Sequence, residues 1–208
     1  SLPSHFDVII LGAGAAGLMC AITAAKRGKN VLILERSNKV GKKILMSGGG
    51  RCNFTNQFVE ADNFISQNKH FSKAALKRYT QWDFIEMVER HNINYEQRKH
   101  NQLFCLDSAK DILNILLEEC SQGGVTIKTH CEIEKISSLN LEAVIDNNHQ
   151  NRNNLRYKVQ FSHDESTHKL TCQSLVIATG ALSVPSLGGS GLGYDIAAQF
   201  GLNITSRQ

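Results

Sequence analysis

Residues 6 to 35 constrain what this chain can fold into more than any other stretch. Phe6, Val8, Ile9, Ile10 and Leu11 form an apolar run long enough for one buried strand and bounded by glycine. Gly12-Ala13-Gly14-Ala15-Ala16-Gly17 follows at once. Residues 18 to 27 then read as a helix, with Leu18, Ile22 and Ala25 along one face and Gly28 at its end. Val31, Leu32, Ile33 and Leu34 make a second buried strand that ends on Glu35. Each piece has a physical task. Gly12 permits the tight turn, Gly14 lets a pyrophosphate approach the backbone, and Gly17 lets helix and strand pack closely. The helix N-terminus offers its free N–H groups to the anion. Glu35 stands where a carboxylate accepts hydrogen bonds from ribose hydroxyls. The strand before, the helix after and the terminal acid together turn a common glycine pattern into a dinucleotide site. This unit alone leaves FAD and NAD(P) both open. Glu35 would repel a 2′-phosphate and so disfavours NADP, while the neighbouring Arg36 acts in the other direction.

A chain of 208 residues can bury one substantial core, or one domain and part of another. Its 41% hydrophobic and 20% charged content is that of an ordinary globular protein. No apolar run approaches the eighteen or so residues that cross a bilayer. The N-terminal apolar stretch lacks a charged lead-in, so it reads as a strand and not as a signal peptide. The net charge of +4 is mild, with much of the excess between residues 26 and 51. Nucleic-acid binding calls for a longer basic stripe with interleaved aromatics, and the expectation is that no nucleic acid is bound. Six cysteines are scattered without a CxxC pair or metal-ligand spacing, which fits a reducing cytoplasm. Cys20 and Cys120 fall on apolar helix faces and read as core thiols. His5, His70, His91 and His100 have no mutual spacing for a metal.

The second informative stretch runs from Gly41 through Lys42, Lys43, Ser47, Gly48, Gly49, Gly50, Arg51, Cys52 and Asn53. Three successive glycines cost conformational entropy and imply that a backbone comes very close to something. Arg51 adds a planar cation and Asn53 a two-way hydrogen bonder, suited to phosphate or a polar ring edge. Further on, Ser72 caps a short helix to residue 79. Thr80 with Asp83 caps another to about His91, with Phe84, Ile85 and Val88 buried. Leu103, Phe104 and Cys105 form a short apolar run. Ser108 caps an amphipathic helix carrying Ile112, Leu113, Leu116, Leu117 and Cys120, ended by Gly123-Gly124. Residues 125 to 129 are the third strand of the parallel sheet. From residue 132 to about 172 the pattern is that of a small antiparallel meander, with a polar loop at 146 to 154 and a turn at Asp164-Glu165. Residues 174 to 177 return to a buried strand before Ala178-Thr179-Gly180. A loop with Pro185, Gly188, Gly189, Gly191 and residues 193 to 195 precedes a helix over 196 to 200, stopped by Gly201.

The stretches GAGAAGLMCAITAAKRGKNVLILER, GKKILMSGGGRCNFTN and LVIATGALSVPSLGGSGLGYDIAAQFG span most of the chain. Together they resemble the BaiN-like, aminoacetone-oxidase-like flavoprotein family of bacteria, SGGGRCN being the most specific segment. The resemblance implies an α/β, Rossmann-like FAD-binding domain of the glutathione-reductase type, with a parallel sheet and a small antiparallel meander. It assigns Gly12, Gly14, Ala15, Ala16 and Gly17 to the pyrophosphate turn and Glu35, beside Arg36, to the adenosine ribose. Lys42, Lys43, Ser47, Gly48, Gly49, Gly50, Arg51, Cys52 and Asn53 would run along the pyrophosphate, ribityl and flavin portions. Ile133 would offer its backbone to adenine. Thr179 and Gly180 would close over the cofactor, and the 189 to 195 loop with Asp195 would lie close to it. Ala181 stands where the family usually has a second glycine after ATG. Family chains continue into a substrate-side domain and a final FAD segment. Residues 1 to 208 therefore read as an incomplete FAD-binding domain, expected to hold FAD loosely and to show no turnover alone.

The implied activity is FAD-dependent oxidoreduction of an unidentified small molecule, either as an NADH- or NADPH-linked reductase or as an amine oxidase. An NAD-dependent dehydrogenase and a non-catalytic FAD module are the alternatives. No paired carboxylates, Ser/His/Asp set or Cys/His couple marks a catalytic group. Arg51 and the loop N–H groups would lower the Cys52 pKa. Cys52 has no second cysteine near it in the sequence, and packing is its expected role.

Overall fold

Phe6, Ile9, Ile10 and Leu11 are buried to 1% exposure or less because their strand has a paired neighbour on both sides. In the computed structural model, residues 2–139, 155–181 and 191–205 are described. The chain opens with strand β1 (His5–Leu11), helix α1 (Ala15–Lys26), β2 (Val31–Leu34) and α2 (Lys42–Met46). Next come β3 (Asn53–Asn56), α3 (Lys73–Arg78), α4 (Gln81–Arg90), β4 (Tyr95–Gln97) and β5 (Gln102–Cys105). α5 (Ala109–Gln122), β6 (Thr126–Lys128), β7 (Glu132–Ser138), β8 (Tyr157–His163), β9 (Ser166–Ile177) and α6 (Leu192–Gln199) follow. The chain divides into two compact units, one of residues 1–42 and 116–208 and one of residues 43–115.

The first unit holds a six-stranded sheet in the order β6-β2-β1-β9-β8-β7. β1 pairs in parallel with β2, Val8 opposite Val31 through Leu11 opposite Leu34, and β2 pairs in parallel with β6. This is the Rossmann-like arrangement expected from the βαβ reading. The apolar side chains of β1 and β2 drive it, each fully buried one contributing about 1.5–3 kcal/mol. The meander is present as well, β7-β8-β9 antiparallel, with Asp164 and Glu165 at φ 48° and 60° in its two-residue turn. It is not a separate feature. β9 is one strand of 12 residues. Its first half pairs with β8, and from Thr171 to Ile177 it also runs parallel to β1. Phe161, Val159, Leu170 and Cys172 thereby join Phe6, Ile9 and Leu11 in one core.

The second unit carries a sheet that the sequence does not announce, β3-β5-β4, antiparallel throughout. Its helix α4 has the predicted capping box, Thr80 Oγ1 accepting from the Asp83 N–H at 3.3 Å and the Asp83 carboxylate accepting from the Thr80 N–H. Ile85 and Val88 are buried as expected, Met87 is buried with them, and Phe84 is half-buried. Ser72 precedes α3 but makes no side-chain cap bond, since it already has helical φ and ψ. Ser108 does cap α5, accepting from the Lys110 N–H at 3.1 Å, and Ile115 rather than Leu117 completes its buried face. Cys120 is buried, while Cys20 is half-buried. The polar loop over 146 to 154 and the stretch with Pro185, Gly188 and Gly189 lie outside the described residues. Among the described residues, no helix is long and apolar enough to cross a membrane.

Candidate functional site

The three glycines of the first turn answer to different demands. Gly12 has φ +104°, and a Cβ there would sit 2.4 Å from the Ala178 carbonyl oxygen. A Cβ on Gly17 would lie 2.0 Å from the Gly12 carbonyl oxygen. Both glycines are therefore required by packing. Gly14 is not. Its φ of −84° suits any residue, and a Cβ there would meet nothing within 4 Å. It is also the N-cap of α1, which has no side-chain cap and no acid in its first turn. Backbone N–H groups of the first turn lack intrahelical partners, so open space stands where an anion is best held. A dinucleotide pyrophosphate fits this cradle.

Glu35 serves the turn directly. Its carboxylate accepts from the Ala13 N–H and from the Ser37 N–H, each at 2.8 Å. The expected ribose partner is thus also a clamp on the glycine turn, with lone pairs left for hydroxyl donors. The Gly41 N–H donates to the Ala13 carbonyl at 2.9 Å, which brings the start of α2, and Lys42, to the same turn. Arg36 lies 3.9 Å from Glu132 in an exposed pair.

A cavity of ≈ 400 Å³ opens beside this turn, lined by Ala16 of α1, by Ile177, Thr179 and Gly180 at the end of β9, and by Gly193 and Tyr194 of α6. It lies past the carboxyl ends of β1 and β9, where the strand order reverses, the place at which open α/β sheets bind ligands. α6 begins at Leu192, so residues 193 to 195 are helical and not loop. Gly193 permits this, since a Cβ there would be 3.1 Å from Thr179 Oγ1. Asp195 is exposed, with Oδ2 3.8 Å from where a Cβ on Gly191 would stand. Ile133 sits on β7 opposite Phe161, next to a bulge in that edge strand.

In the second unit, residues 47 to 53 form a tight turn held by bonds from the Cys52 N–H to the Ser47 carbonyl and from the Arg51 N–H to the Gly48 carbonyl. Gly48, Gly49 and Gly50 all have positive φ, at 57°, 66° and 87°. A Cβ on Gly48 would meet the Asn53 nitrogen and the Phe104 ring at 2.7 Å, whereas Gly49 and Gly50 face open space. The turn is therefore a pinned loop that presents bare backbone. Lys43 and Asn53 flank it on the exposed side. Arg51 extends 3.6 Å from Glu96, a carboxylate it shares with Arg98. Cys52 corrects two expectations. It is buried, and burial pushes its thiol up rather than down, against a smaller lowering by the Ser47 hydroxyl. It also has a cysteine neighbour. The Cys105 N–H bonds to the Arg51 carbonyl, and Cys52 adds to the rise of the Cys105 thiol to about 12, after burial.

With the geometry in place, comparison with known proteins places the chain. The model of the HI0933-like protein Rossmann domain matches residues 6–207. A ribosomal RNA dihydrouridine synthase of Escherichia coli K12 is 45% identical over 200 residues, covering 96% of this chain and 46% of that protein. A 3-dehydro-bile acid delta(4,6)-reductase of Clostridium scindens is 27% identical over 92% of this chain and 43% of its own length. The chain thus spans about half the length of the curated relatives it matches. In fold, it is similar to the 3-ketosteroid-delta4-(5alpha)-dehydrogenase of Rhodococcus jostii RHA1, at TM-score 0.61 and 12% identity over 87% of this chain and 47% of that one.

Proposed function

Since this chain belongs to the HI0933-like protein Rossmann domain family, we propose that it is the FAD-holding part of a longer flavin-dependent reductase acting on uracil bases of RNA. The similarity that carries the substrate is the 45% identity to a ribosomal RNA dihydrouridine synthase over nearly the whole chain. The open space over Gly14 at the α1 N-terminus supports the cofactor. The two named relatives share a type of chemistry. A uracil ring and a 3-oxo steroid with double bonds at positions 4 and 6 both present a C=C conjugated to a carbonyl. Reducing uridine adds a hydride at C6 and a proton at C5, giving 5,6-dihydrouridine. When bound and reduced, FAD supplies that hydride, with NADH or NADPH as the proposed source of its electrons.

The residues of this chain bind and orient. Ala15, Ala16 and Gly17 point N–H groups at the pyrophosphate, with Lys42 and Lys43 adding positive charge. Glu35 takes the ribose hydroxyls while it holds Ala13. Gly49 and Gly50 leave room along the ribityl chain, and Thr179 and Gly180 border the cavity. The scattered cysteines support a reducing compartment, and the cytoplasm is the proposed one. The sequence expectation of no nucleic-acid partner is set aside here in favour of RNA.

The test uses the protein over its full natural length. We expect a yellow holoprotein whose flavin is bleached by NADH or NADPH without air, and ribosomal RNA that gains dihydrouridine, seen by mass spectrometry as two added hydrogens. A colourless protein that takes up no FAD would remove the cofactor. Ready reduction with no change in the RNA would remove the substrate.

Cys52 is expected to stand outside this chemistry. A buried thiol held in its protonated form is a poor nucleophile. Cys52→Ser should leave the rate of flavin reduction within about two-fold of the parent and cost about 1 kcal/mol in stability. A rate loss of tenfold or more with FAD still bound would put the thiol into the reaction.

A further inference from the structure

We propose that residues 63 to 82 of the second unit form a contact surface for single-stranded RNA, an inference that rests on the RNA reading above. Between Asp62 and Asp83 there are twenty residues without one Asp or Glu, and they include Lys69, Lys73, Lys77 and Arg78. All four cations are exposed, and none has an ion-pair partner among the described residues. Four unopposed cations equal the formal charge of +4 carried by the whole chain.

Aromatic rings are interleaved with them. Phe71 is 78% exposed, Trp82 57% and Phe64 48%. This is unusual placement for such side chains, whose burial would each stabilise the fold by about 1.5–3 kcal/mol. Trp82 is the sole tryptophan of the chain and stands in the first turn of α4, away from the buried Ile85, Met87 and Val88. α3, with Lys73 and Lys77 one turn apart on one side, buries no residue at all. A six-residue helix with no buried residue, only Leu76 being partly covered, contributes little to the core.

The chemistry selects the partner. Unpaired lysines and arginine take phosphates by releasing counterions, and exposed rings stack on bases that have left a duplex. Both features together describe binding of an unpaired strand. Reduction of a uracil ring requires that base to leave its stack, so the RNA substrate is an unpaired strand, the form that exposed rings recognise. A protein partner fits less well, because the cores of protein interfaces are depleted of lysine. The sequence reading missed this surface because its charge is modest, and its rings count as core until the structure shows them in solvent.

The probe is a fluorescein-labelled oligouridylate of twelve nucleotides, added to the full-length holoprotein and followed by anisotropy. Phe71→Ala and Trp82→Ala are each expected to weaken binding by roughly 5- to 150-fold, the range for one lost stacking contact. Lys69→Ala with Lys73→Ala should flatten the salt dependence by about 0.7 for each phosphate contact removed. All variants should keep the parent's FAD content. Cross-linking of 4-thiouridine RNA to the unmutated protein gives a check independent of folding, and the linked peptides should fall within residues 63 to 82. Unchanged affinity in the variants, cross-links elsewhere, or stronger binding to vesicles of phosphatidylglycerol than to the RNA would overturn the proposal. A parent protein that makes dihydrouridine while the variants bind RNA normally would sink this surface and leave the proposed function standing. RNA held at this surface with no dihydrouridine formed would do the reverse.

Discussion

Gly17→Ala is expected to destabilise the chain severely, whereas Gly14→Ala should fold like the parent and lose FAD. The added methyl at position 17 would stand 2.0 Å from the Gly12 carbonyl oxygen and 3.1 Å from its carbon, both backbone atoms. Relief requires pulling α1 away from the end of β1, where Leu18, Ala21 and Ile22 pack. Overpacking of this kind costs about 1–3 kcal/mol and more when backbone must move. In a chain of this size, 3 kcal/mol corresponds to a Tm loss of about 6–12 °C. At Gly14 nothing lies within 4 Å of the methyl, and φ is ordinary. The remaining cost is that of alanine at an N-cap, about 1 kcal/mol or less. The methyl would fill the space over the first-turn N–H groups. Losing one charge-assisted bond to a phosphate costs about 1.5–3 kcal/mol, or a factor of roughly ten to a hundred in affinity. Thermal melts by circular dichroism and titration with FAD read the two effects separately. Parent-like affinity in Gly14→Ala would show that this space serves no ligand.

That contrast was legible in the sequence, because the βαβ unit is local. Strand, turn, helix and acid are contiguous, and each is fixed by neighbours a few positions away. The capping box at Thr80 and the cap at Ser108 were readable for the same reason. The β3-β5-β4 sheet was not, since its strands are three or four residues long. β3 reads Asn-Phe-Thr-Asn, with no apolar run at all. Only pairing across about fifty residues, Asn53 with Phe104, defines it. That pairing also sets Cys105 beside Cys52, a proximity that no spacing in the sequence reveals. β9 was divided in two because its partner changes from β8 to β1 at residues 171 and 172. The start of α6 was misplaced because Gly193 reads as a loop residue, while its actual task is to let the helix approach Thr179.

Glu35→Ala is expected to weaken FAD by roughly ten- to a hundred-fold, and the structure changes which ligands should feel it. A carboxylate that only received ribose hydroxyls would leave flavin mononucleotide, which has no adenosine ribose, indifferent to its loss. Glu35 does more than that. Its two oxygens hold the Ala13 N–H and the Ser37 N–H, so it fixes the turn on which any phosphate rests. An ionised carboxylate has about four lone-pair sites, and the two that remain are enough for a ribose diol. Removing it therefore strips the ribose contact and also frees the glycine turn. Flavin mononucleotide should weaken by a few-fold, and ADP, which carries both ribose and pyrophosphate, should weaken as much as FAD. Glu35→Gln should fall between parent and alanine, because its amide oxygen can still accept from one N–H while its NH₂ group cannot accept from the other. Parallel titrations of the three ligands against each variant decide the matter. Flavin mononucleotide binding unchanged in Glu35→Ala would confine the residue to the ribose. Unchanged FAD binding would mean that Ala13 and Ser37 consume the carboxylate and that the ribose is held elsewhere.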